Sequence, residues 1–190
     1  SSGKMGYALA QAAAEQGADV TLVSSSELPA PVGVAMVPVQ SARDLLAAMT
    51  ERFEDTDVAI MAAAVSDYRV ATPADQKMKK NADHAGLTID LVENPDILAT
   101  LGQQKTTQYL VGFAAETQDL LTYAQNKLEK KNADMLVAND VSKAQVGFGH
   151  DTNEVTLLQR DAAPEKLPLQ SKLALARDIM SRIATQVEGK

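Results

Sequence analysis

The stretch AAAVSDYRVATPADQKMKK (Ala62–Lys80) runs from the end of an apolar strand into a loop with one acid and a cluster of lysines. Small residues at a strand's carboxyl end let a ligand approach the backbone, and Asp67 can hold a base, a ribose or a metal ion. Lys77, Lys79 and Lys80 can face phosphate oxygens. This is the layout of a triphosphate site on an α/β sheet. The alternative is a basic surface loop that is simply solvated.

The segments on both sides of this stretch alternate between helix and strand patterns. Before it, the apolar spacing predicts helices over residues 3–17 and 41–54 and strands over residues 19–24, 35–39 and 57–63. After it, we predict strands over residues 87–92, 109–114 and 135–138 and helices over residues 95–102 and 119–131. Repeated β/α alternation with short connections indicates a doubly wound, mostly parallel sheet with right-handed crossovers.

The C-terminal part departs from this alternation. Residues 154–159 and 166–169 read as a hairpin, and a helix with one apolar face follows over residues 171–187. We therefore predict one Rossmann-like nucleotide-binding domain over residues 1–190. Chains of this type usually open with a strand before the glycine-containing turn, and this sequence starts at the turn itself, SSGKMG. We expect the first strand to be missing and the domain to be incomplete at its N-terminus.

Composition narrows the classes of function. The 190 residues include no cysteine and two histidines, which excludes disulfides and thiolate metal sites and argues against a multi-histidine metal centre. The formal net charge of -7 argues against nucleic acid or an anionic membrane surface as a partner. No apolar run approaches the roughly 18 residues that span a bilayer, and no signal-peptide pattern opens the sequence. We expect a soluble, cytoplasmic protein.

A second candidate anion site is SSGKMG itself. It places Ser2, Gly3, Lys4 and Gly6 at the start of a helix, where free backbone N–H groups and the helix dipole favour phosphate or carboxylate. The lysine is followed by methionine and not by serine or threonine, so the segment is not a Walker A loop. The alternative is a helix start that uses serine as a cap and glycine for close packing.

Two further segments follow predicted strands. NPDIL (94–98) opens a helix with proline, and in GFAAET (112–117) Phe113 can wall a pocket. Lys127 and Lys131 in KLEKK share one helical face. Each segment alone also has a purely structural explanation. NPDIL can be the start of a capped helix, Phe113 of GFAAET can be a buried core residue, and the lysines of KLEKK can be favoured by the dipole at the end of their helix. Three such strand ends together favour a phosphate-binding pocket, because ligands bind at the carboxyl edge of an open α/β sheet.

Taken together, these motifs resemble the phosphopantothenoylcysteine synthetase family, the synthetase half of bacterial bifunctional coenzyme A biosynthesis proteins. SSGKMG, AAAVSDYR followed by KMKK, ENPDIL, GFAAET, KLEKKNAD and ANDV occur in the family's order and spacing, across nearly the whole chain. The resemblance implies a ligase that uses CTP to convert the carboxylate of 4'-phosphopantothenate to an acyl-cytidylate and pyrophosphate. The amine of L-cysteine then displaces CMP to give 4'-phosphopantothenoylcysteine.

The resemblance also implies the site residues. Lys77 is the expected catalytic residue, since a carboxylate that attacks an α-phosphate brings two anions together and needs a cation nearby. Ser2, Gly3, Lys4 and Gly6 would form a phosphate or substrate loop. Metal ligands are not identified, although Mg²⁺ is expected with CTP. The implied CTP-binding residues are Met61, Ala62, Ala63, Asp67, Lys77, Pro95, Asp96, Ile97, Leu98, Phe113, Lys127 and Lys131.

The family further implies a homodimer, no flavin in this domain, and in many members a flavin-dependent decarboxylase fused upstream. Its members carry an asparagine just before SSGKMG that handles the acyl-cytidylate, and this sequence begins after that position. The residues alone do not separate CTP from ATP. Two other classes stay open: an NAD(P)- or flavin-binding oxidoreductase and a non-catalytic nucleotide-binding domain. The oxidoreductase would need an acidic residue after the second strand, where DVTLVSSS offers serines.

Overall fold

The computed structural model describes residues 2–79, 86–116, 120–140, 150–160 and 162–188. Within these ranges the helices are α1 (Lys4–Glu15), α2 (Ala42–Phe53), α3 (Ile97–Gln104), α4 (Leu120–Lys130) and α5 (Lys172–Val187). The strands are β1 (Val20–Ser24), β2 (Val34–Pro38), β3 (Val58–Met61), β4 (Tyr68–Val70), β5 (Leu91–Glu93), β6 (Tyr109–Glu116), β7 (Met135–Asp140), β8 (Thr152–Gln159) and β9 (Glu165–Ser171).

A five-stranded sheet in the order β3-β6-β7-β8-β9 forms the centre of the fold. Strands β3, β6 and β7 are parallel, whereas β8 and β9 are antiparallel to their neighbours. Leu110, Val111, Leu136 and Val137 on β6 and β7 are fully buried, because helices cover both faces of these strands. The predicted doubly wound, mostly parallel sheet with a C-terminal hairpin and helix is confirmed.

Two apolar cores lie on the two faces of this sheet. On one face α1 and α5 pack together over Val111 and Val137. On the other face α2, α3 and α4 pack over Leu110 and Leu136. Because successive strand residues point to opposite faces, neighbouring residues of β6 and β7 belong to different cores.

Strands β1 and β2 form a separate parallel pair. A cleft of about 1790 Å³ lies between β1 and β3, with α1 and α5 on one side and α2 on the other. It extends to the carboxyl ends of β3 and β6, where Ala63 and Ala115 line it. Within the described ranges, no strand pairs with the edges of β1 and β3 that face this cleft.

The strand predicted over residues 87–92 is not part of the central sheet. Only its last two residues belong to β5, which pairs antiparallel with the unpredicted strand β4, with Leu91 opposite Val70. We call this pair the arm. The prediction was wrong because all three residues of β5 are exposed, so this strand lacks the helical cover of a central parallel strand. Strand β3 therefore pairs directly with β6.

The side chain of Ser41 caps the start of α2. The hydroxyl of Ser41 accepts a hydrogen bond from the backbone N–H of Asp44 at 3.2 Å. In return, the Asp44 carboxylate accepts one from the N–H of Ser41 at 2.9 Å. This reciprocal capping box satisfies two donors that the first turn leaves without a helical partner.

Helices α3 and α4 approach each other closely at Gly102. A Cβ atom at this position would lie 1.9 Å from the backbone oxygen of Lys131. Asn132, which has a positive φ of 51°, donates its side-chain amide to the oxygen of Gly102 at 2.8 Å. This contact holds the end of α4 against α3 and thereby positions Lys131.

We expect Gly102→Ala to lower the free energy of unfolding by about 3 kcal/mol, since the new methyl group meets a backbone carbonyl that cannot rotate away. Gly6→Ala is the matched control: it also lies inside a helix, but nothing lies within 4 Å of its added Cβ. That control should gain about 0.5 to 1 kcal/mol. Urea unfolding followed by circular dichroism measures both, and equal effects would contradict the close contact.

Candidate functional site

The end of β3 lines the cleft with three predicted site residues. Met61, Ala62 and Ala63 all contribute to its wall. The Met61 side chain is buried in the core, and Ala63 is exposed. Met61 lies beside Gly112 in the parallel ladder, so the backbone at the end of β3 and the start of GFAAET are neighbours.

Phe113 and Lys127 meet at the end of β6. The Lys127 ammonium donates a hydrogen bond to the backbone oxygen of Phe113 at 3.2 Å. Both residues are half-buried and both line the cleft. The fold thus places one predicted phosphate-binding lysine at the carboxyl edge of the central sheet.

Asp96 and Lys131 form an ion pair at the start of α3. One oxygen of Asp96 accepts a hydrogen bond from the N–H of Ala99 at 2.9 Å and caps the helix, and the other accepts one from Lys131. Burial acts to raise the pKa of Asp96. The bonds from Lys131 and Ala99 and the charges of Lys131 and Lys127 outweigh it, so the pKa lies below its ordinary value.

The PDIL segment divides between the core and the surface. Ile97 and Leu98 are buried, and a Cβ atom at Gly112 would lie 2.6 Å from Leu98. Their side chains therefore serve packing, and contact with a ligand is left to the backbone N–H groups of the first turn. Pro95 is half-buried beside the exposed cap Asp96.

The loop of the Ala62–Lys80 stretch is tied to the start of α3. Asn94 donates its backbone N–H to the oxygen of Asp67 at 2.7 Å and its side-chain amide to the oxygen of Ser66 at 2.9 Å. Asp67 itself is exposed. Lys77 is exposed too. The cleft is lined by five of the predicted CTP-binding residues, Met61, Ala62, Ala63, Phe113 and Lys127. It is not lined by Asp67, Lys77, Lys131 or the PDIL segment, so the structure does not bring all the predicted residues together. Lys80 lies outside the described residues.

SSGKMG borders the same cleft. Ser2, Gly3, Lys4 and Gly6 all line it, and Ser1 lies outside the described residues. Gly3 has a φ of 76°, and a Cβ atom there would lie 2.8 Å from Ser26, so this turn requires glycine. Gly3 therefore supports close packing against the loop after β1. The other part of that alternative, a serine cap, was wrong, because Gly3 itself is the N-cap of α1 and no side chain caps this helix.

Among the cleft residues that were not predicted, three are buried polar or charged residues: Asn139, Asn153 and Lys172. Asn139 belongs to the ANDV motif, which was a signal in the sequence. Asn153 and Lys172 carried no such signal, because a polar residue in an amphipathic strand and a lysine at a helix start are usually solvated. Their burial depends on how α5 packs against the sheet.

The described ranges contain no helix long and apolar enough to cross a membrane. They also contain no group of three or more histidine, aspartate or glutamate side chains placed to hold a metal ion.

The fold and the cleft define the class of protein, an α/β domain with a cleft at the carboxyl edge of a doubly wound sheet, where ligands bind in such folds. The family model described as "DNA/pantothenate metabolism flavoprotein C-terminal domain" matches residues 1–187. The chain belongs to this family.

The sequences of similar proteins agree with this family assignment. The Coenzyme A biosynthesis bifunctional protein CoaBC of Vibrio cholerae is 49% identical over 189 residues, which are 98% of this chain and 47% of that protein. The protein of the same name from Bacillus subtilis is 47% identical over 186 residues, 97% of this chain and 45% of that protein. The chain thus spans about half the length of the curated relatives it matches.

A solved structure shows the same fold. The crystal structure of the C-terminal domain of a CoaBC protein superposes with a TM-score of 0.84 at 40% sequence identity. The match covers 100% of this chain and 85% of that one.

The Asp96–Lys131 pair makes a pH-dependent contribution to stability. Asp96→Asn keeps the cap but loses the ion pair, so we expect its free energy of unfolding at neutral pH to fall by about 1 kcal/mol or less. Because the folded pKa of this carboxyl is lowered, its contribution is present above the unfolded pKa and is lost as pH falls through the folded pKa. The difference between the two proteins should therefore vanish in acid.

Urea unfolding at a series of pH values measures this difference. Asp96→Ala is the control, since it also loses the cap and should cost about 1 kcal/mol more, including in acid. A difference between wild type and Asp96→Asn that does not change with pH would contradict the ion pair.

Proposed function

We propose that this chain is a phosphopantothenate–cysteine ligase of coenzyme A biosynthesis, which uses CTP to join 4'-phosphopantothenate to L-cysteine. One observation carries the proposal: the SSGKMG turn, the end of β3 and the Phe113–Lys127 pair line one cleft at the carboxyl edge of the sheet. Membership of a family whose relatives are named coenzyme A biosynthesis proteins supports this assignment of substrates.

The chemistry needs cations and no side-chain nucleophile. A carboxylate oxygen of 4'-phosphopantothenate attacks the α-phosphorus of CTP, and the bond to the β-phosphate oxygen breaks to release pyrophosphate. The cysteine amine then attacks the acyl carbon, loses a proton and expels CMP. Lys127 and Lys131 would offset the repulsion of the first step. Protein groups hold both ammonium groups, Phe113 for Lys127 and Asp96 for Lys131, so little reorganisation is required.

Lys77 remains our choice for the residue nearest the transition state. It lies four residues after Pro73, which lines the cleft, and four extended residues span up to about 14 Å. The loop after β4 would therefore have to fold over bound nucleotide to bring the Lys77 ammonium to the phosphates. Asp67, which immediately precedes β4, would contact the base or ribose. Mg²⁺ would arrive with the triphosphate, as part of the substrate.

The proposal also includes the cellular compartment of the ligase and a second catalytic domain in the same polypeptide. The relatives are about twice as long as this chain and are named bifunctional. We expect the ligase to work in the cytoplasm beside a second activity in the same polypeptide, a flavin-dependent decarboxylase. The ligase domain itself would bind no flavin.

We also propose that two copies of this chain form a homodimer through the arm. Tyr68 and Val70 on β4 and Leu87, Ile89 and Leu91 on the facing segment alternate along their chains and thus point to the same side. All five side chains are exposed. A two-stranded sheet is marginally stable by itself, and a contiguous apolar surface of this kind is typical of an interface. A second copy of the chain would cover this face.

We predict that Leu91→Glu converts the dimer to a monomer, because it buries a charge in the proposed interface. Val92→Glu is the matched control: it changes the next residue, on the opposite side of the arm, where Arg69 is its cross-strand partner. Sedimentation equilibrium measures the mass of each protein. A monomeric wild type, or equal dissociation by both variants, would contradict the arm as the interface.

The function is tested by single-turnover release of pyrophosphate from CTP and Mg²⁺ with 4'-phosphopantothenate, in the absence of cysteine. We expect Lys77→Gln to slow this release by about a hundredfold, the scale for loss of one preorganised electrostatic group. Its affinity for CTP should change much less, since Lys127 and Lys131 still hold the phosphates. Calorimetric titration of CTP, ATP and NADPH gives the affinities. The control is Lys166→Gln, which removes an exposed lysine of β9 that does not line the cleft.

Three outcomes would count against these assignments. Release at the wild-type rate in Lys77→Gln would make this residue a surface lysine. Equal losses of rate and CTP affinity would make it a binding residue only. Tighter binding of NADPH than of CTP would replace the ligase with an oxidoreductase.

A further inference from the structure

Asn94 connects the arm to helix α3. It follows β5 directly, and only Pro95 separates it from Asp96, the N-cap of α3. A residue before proline favours extended backbone, so the pairing of the arm can continue past β5. Indeed, the backbone N–H of Asn94 donates a hydrogen bond to the backbone oxygen of Asp67 at 2.7 Å. The residue before β4 and the residue after β5 are thus joined.

The side-chain amide of Asn94 makes two further contacts. Its NH₂ group donates a hydrogen bond to the backbone oxygen of Ser66 at 2.9 Å. Its oxygen accepts one from the Arg69 guanidinium at 3.4 Å, and the same guanidinium nitrogen also donates to the backbone oxygen of Glu93. We call Arg69 and Asn94 the clamp. The amide of Asn94 uses both its donor and its acceptor in the clamp.

Few other side chains would serve at position 94. The Nε atom of Arg69 is buried and has no hydrogen-bond partner within the described ranges, so the loss of a further acceptor would be costly. Asparagine supplies an acceptor for Arg69 and a donor for Ser66. Aspartate would supply acceptors only, and alanine would supply neither.

The clamp fixes the loop after β3 onto α3. Ile97 and Leu98 are buried in the core on one face of the sheet, so packing holds the start of α3. Ser66 and Asp67 are exposed, so packing does not hold them. The bonds from Asn94 therefore determine where Asp67 lies relative to the helix.

We propose that Asn94, oriented by Arg69, is a positioning residue that holds Asp67 where its carboxylate meets the base or ribose of the nucleotide. This role rests on the proposed function, which supplies the nucleotide. Ser66, Arg69 and Asn94 line the cleft, so the clamp borders the space in which the nucleotide would bind. Because Asp67 would contact the nucleoside part of the ligand, the clamp acts on that part and not on the phosphates.

The test compares ligands with and without the nucleoside. Asn94→Asp places a carboxylate oxygen against the backbone oxygen of Ser66 and keeps an acceptor for Arg69. We expect it to weaken binding of CTP and CMP by about tenfold, the scale for one lost hydrogen bond with its unsatisfied partner. Inorganic pyrophosphate has no base or ribose, so its affinity should not change. Calorimetry with Mg²⁺ present measures all three ligands.

A double-mutant cycle with Asp67→Ala separates positioning from a general structural effect. Asp67→Ala removes the carboxylate and keeps the backbone oxygen that Asn94 binds, so the clamp stays intact. It should weaken CTP by itself. If Asn94 acts through Asp67, Asn94→Asp should change the CTP affinity of Asp67→Ala by less than about twofold. A loss of merely structural origin would persist in that background.

Gln108→Glu is the matched control. The Gln108 amide also donates to a backbone oxygen, that of Glu54 at 3.3 Å, but it lies at the opposite end of β6 and does not line the cleft. This variant should lower the melting temperature and leave every ligand affinity unchanged. Asn94→Ala introduces no charge and should reproduce the ligand pattern of Asn94→Asp, so the test does not depend on the folding of one variant.

Several results would overturn the role of Asn94. They are unchanged CTP affinity in both Asn94 variants, equal losses for CTP and pyrophosphate, unchanged CTP affinity in Asp67→Ala, and a full loss on adding Asn94→Asp to Asp67→Ala. Failure of the proposed function looks different, because the wild-type chain would then neither bind CTP nor release pyrophosphate from it. A wild type that does both, with Asn94 variants that match it, would keep the ligase and reject only the clamp.

Discussion

Burial of β6 and β7 on both faces is the constraint from which the rest of the structure follows. Fully buried parallel strands exclude polar side chains from their middles, so Leu110, Val111, Leu136 and Val137 are apolar without alternation. Polar and charged groups are therefore confined to the strand ends and to the helix termini beside them. The cleft residues Phe113, with its lysine partner, and Asn139 lie at those ends.

The candidate site depends on protein groups that hold charges in place before a ligand arrives. Asp96 caps α3 and binds Lys131, the oxygen of Phe113 binds Lys127, and Asp151 binds Lys4. Each lysine belongs to a helix whose position is set by packing, as Gly102 shows for the contact between α3 and α4. The core therefore determines where the cations lie, and a packing change remote from the cleft is expected to disturb the chemistry.

For the arm, the local sequence pattern was not sufficient to predict which strands pair. Residues 87–92 have the apolar content of a strand, and the sequence led us to place them in the central sheet. Their register with Tyr68–Val70 instead makes a separate pair that stays exposed. Apolar side chains in a strand indicate that the strand will be buried. They do not indicate whether the protein's own helices or a second chain buries it.

The sequence by itself determined the order of helices and strands, the two-sided burial of the central strands and the motifs at the strand ends, because these depend on local periodicity and turn chemistry. It also indicated the family and some of the residues that line the cleft, among them Lys4, Phe113 and Lys127. Only the tertiary structure decided that β3 pairs with β6, that Lys131 binds Asp96, that Lys77 lies away from the cleft, and that Lys172 is buried beside Lys4. These facts join residues up to 168 positions apart, from Lys4 to Lys172, and only the packing of helices on the sheet brings such residues together.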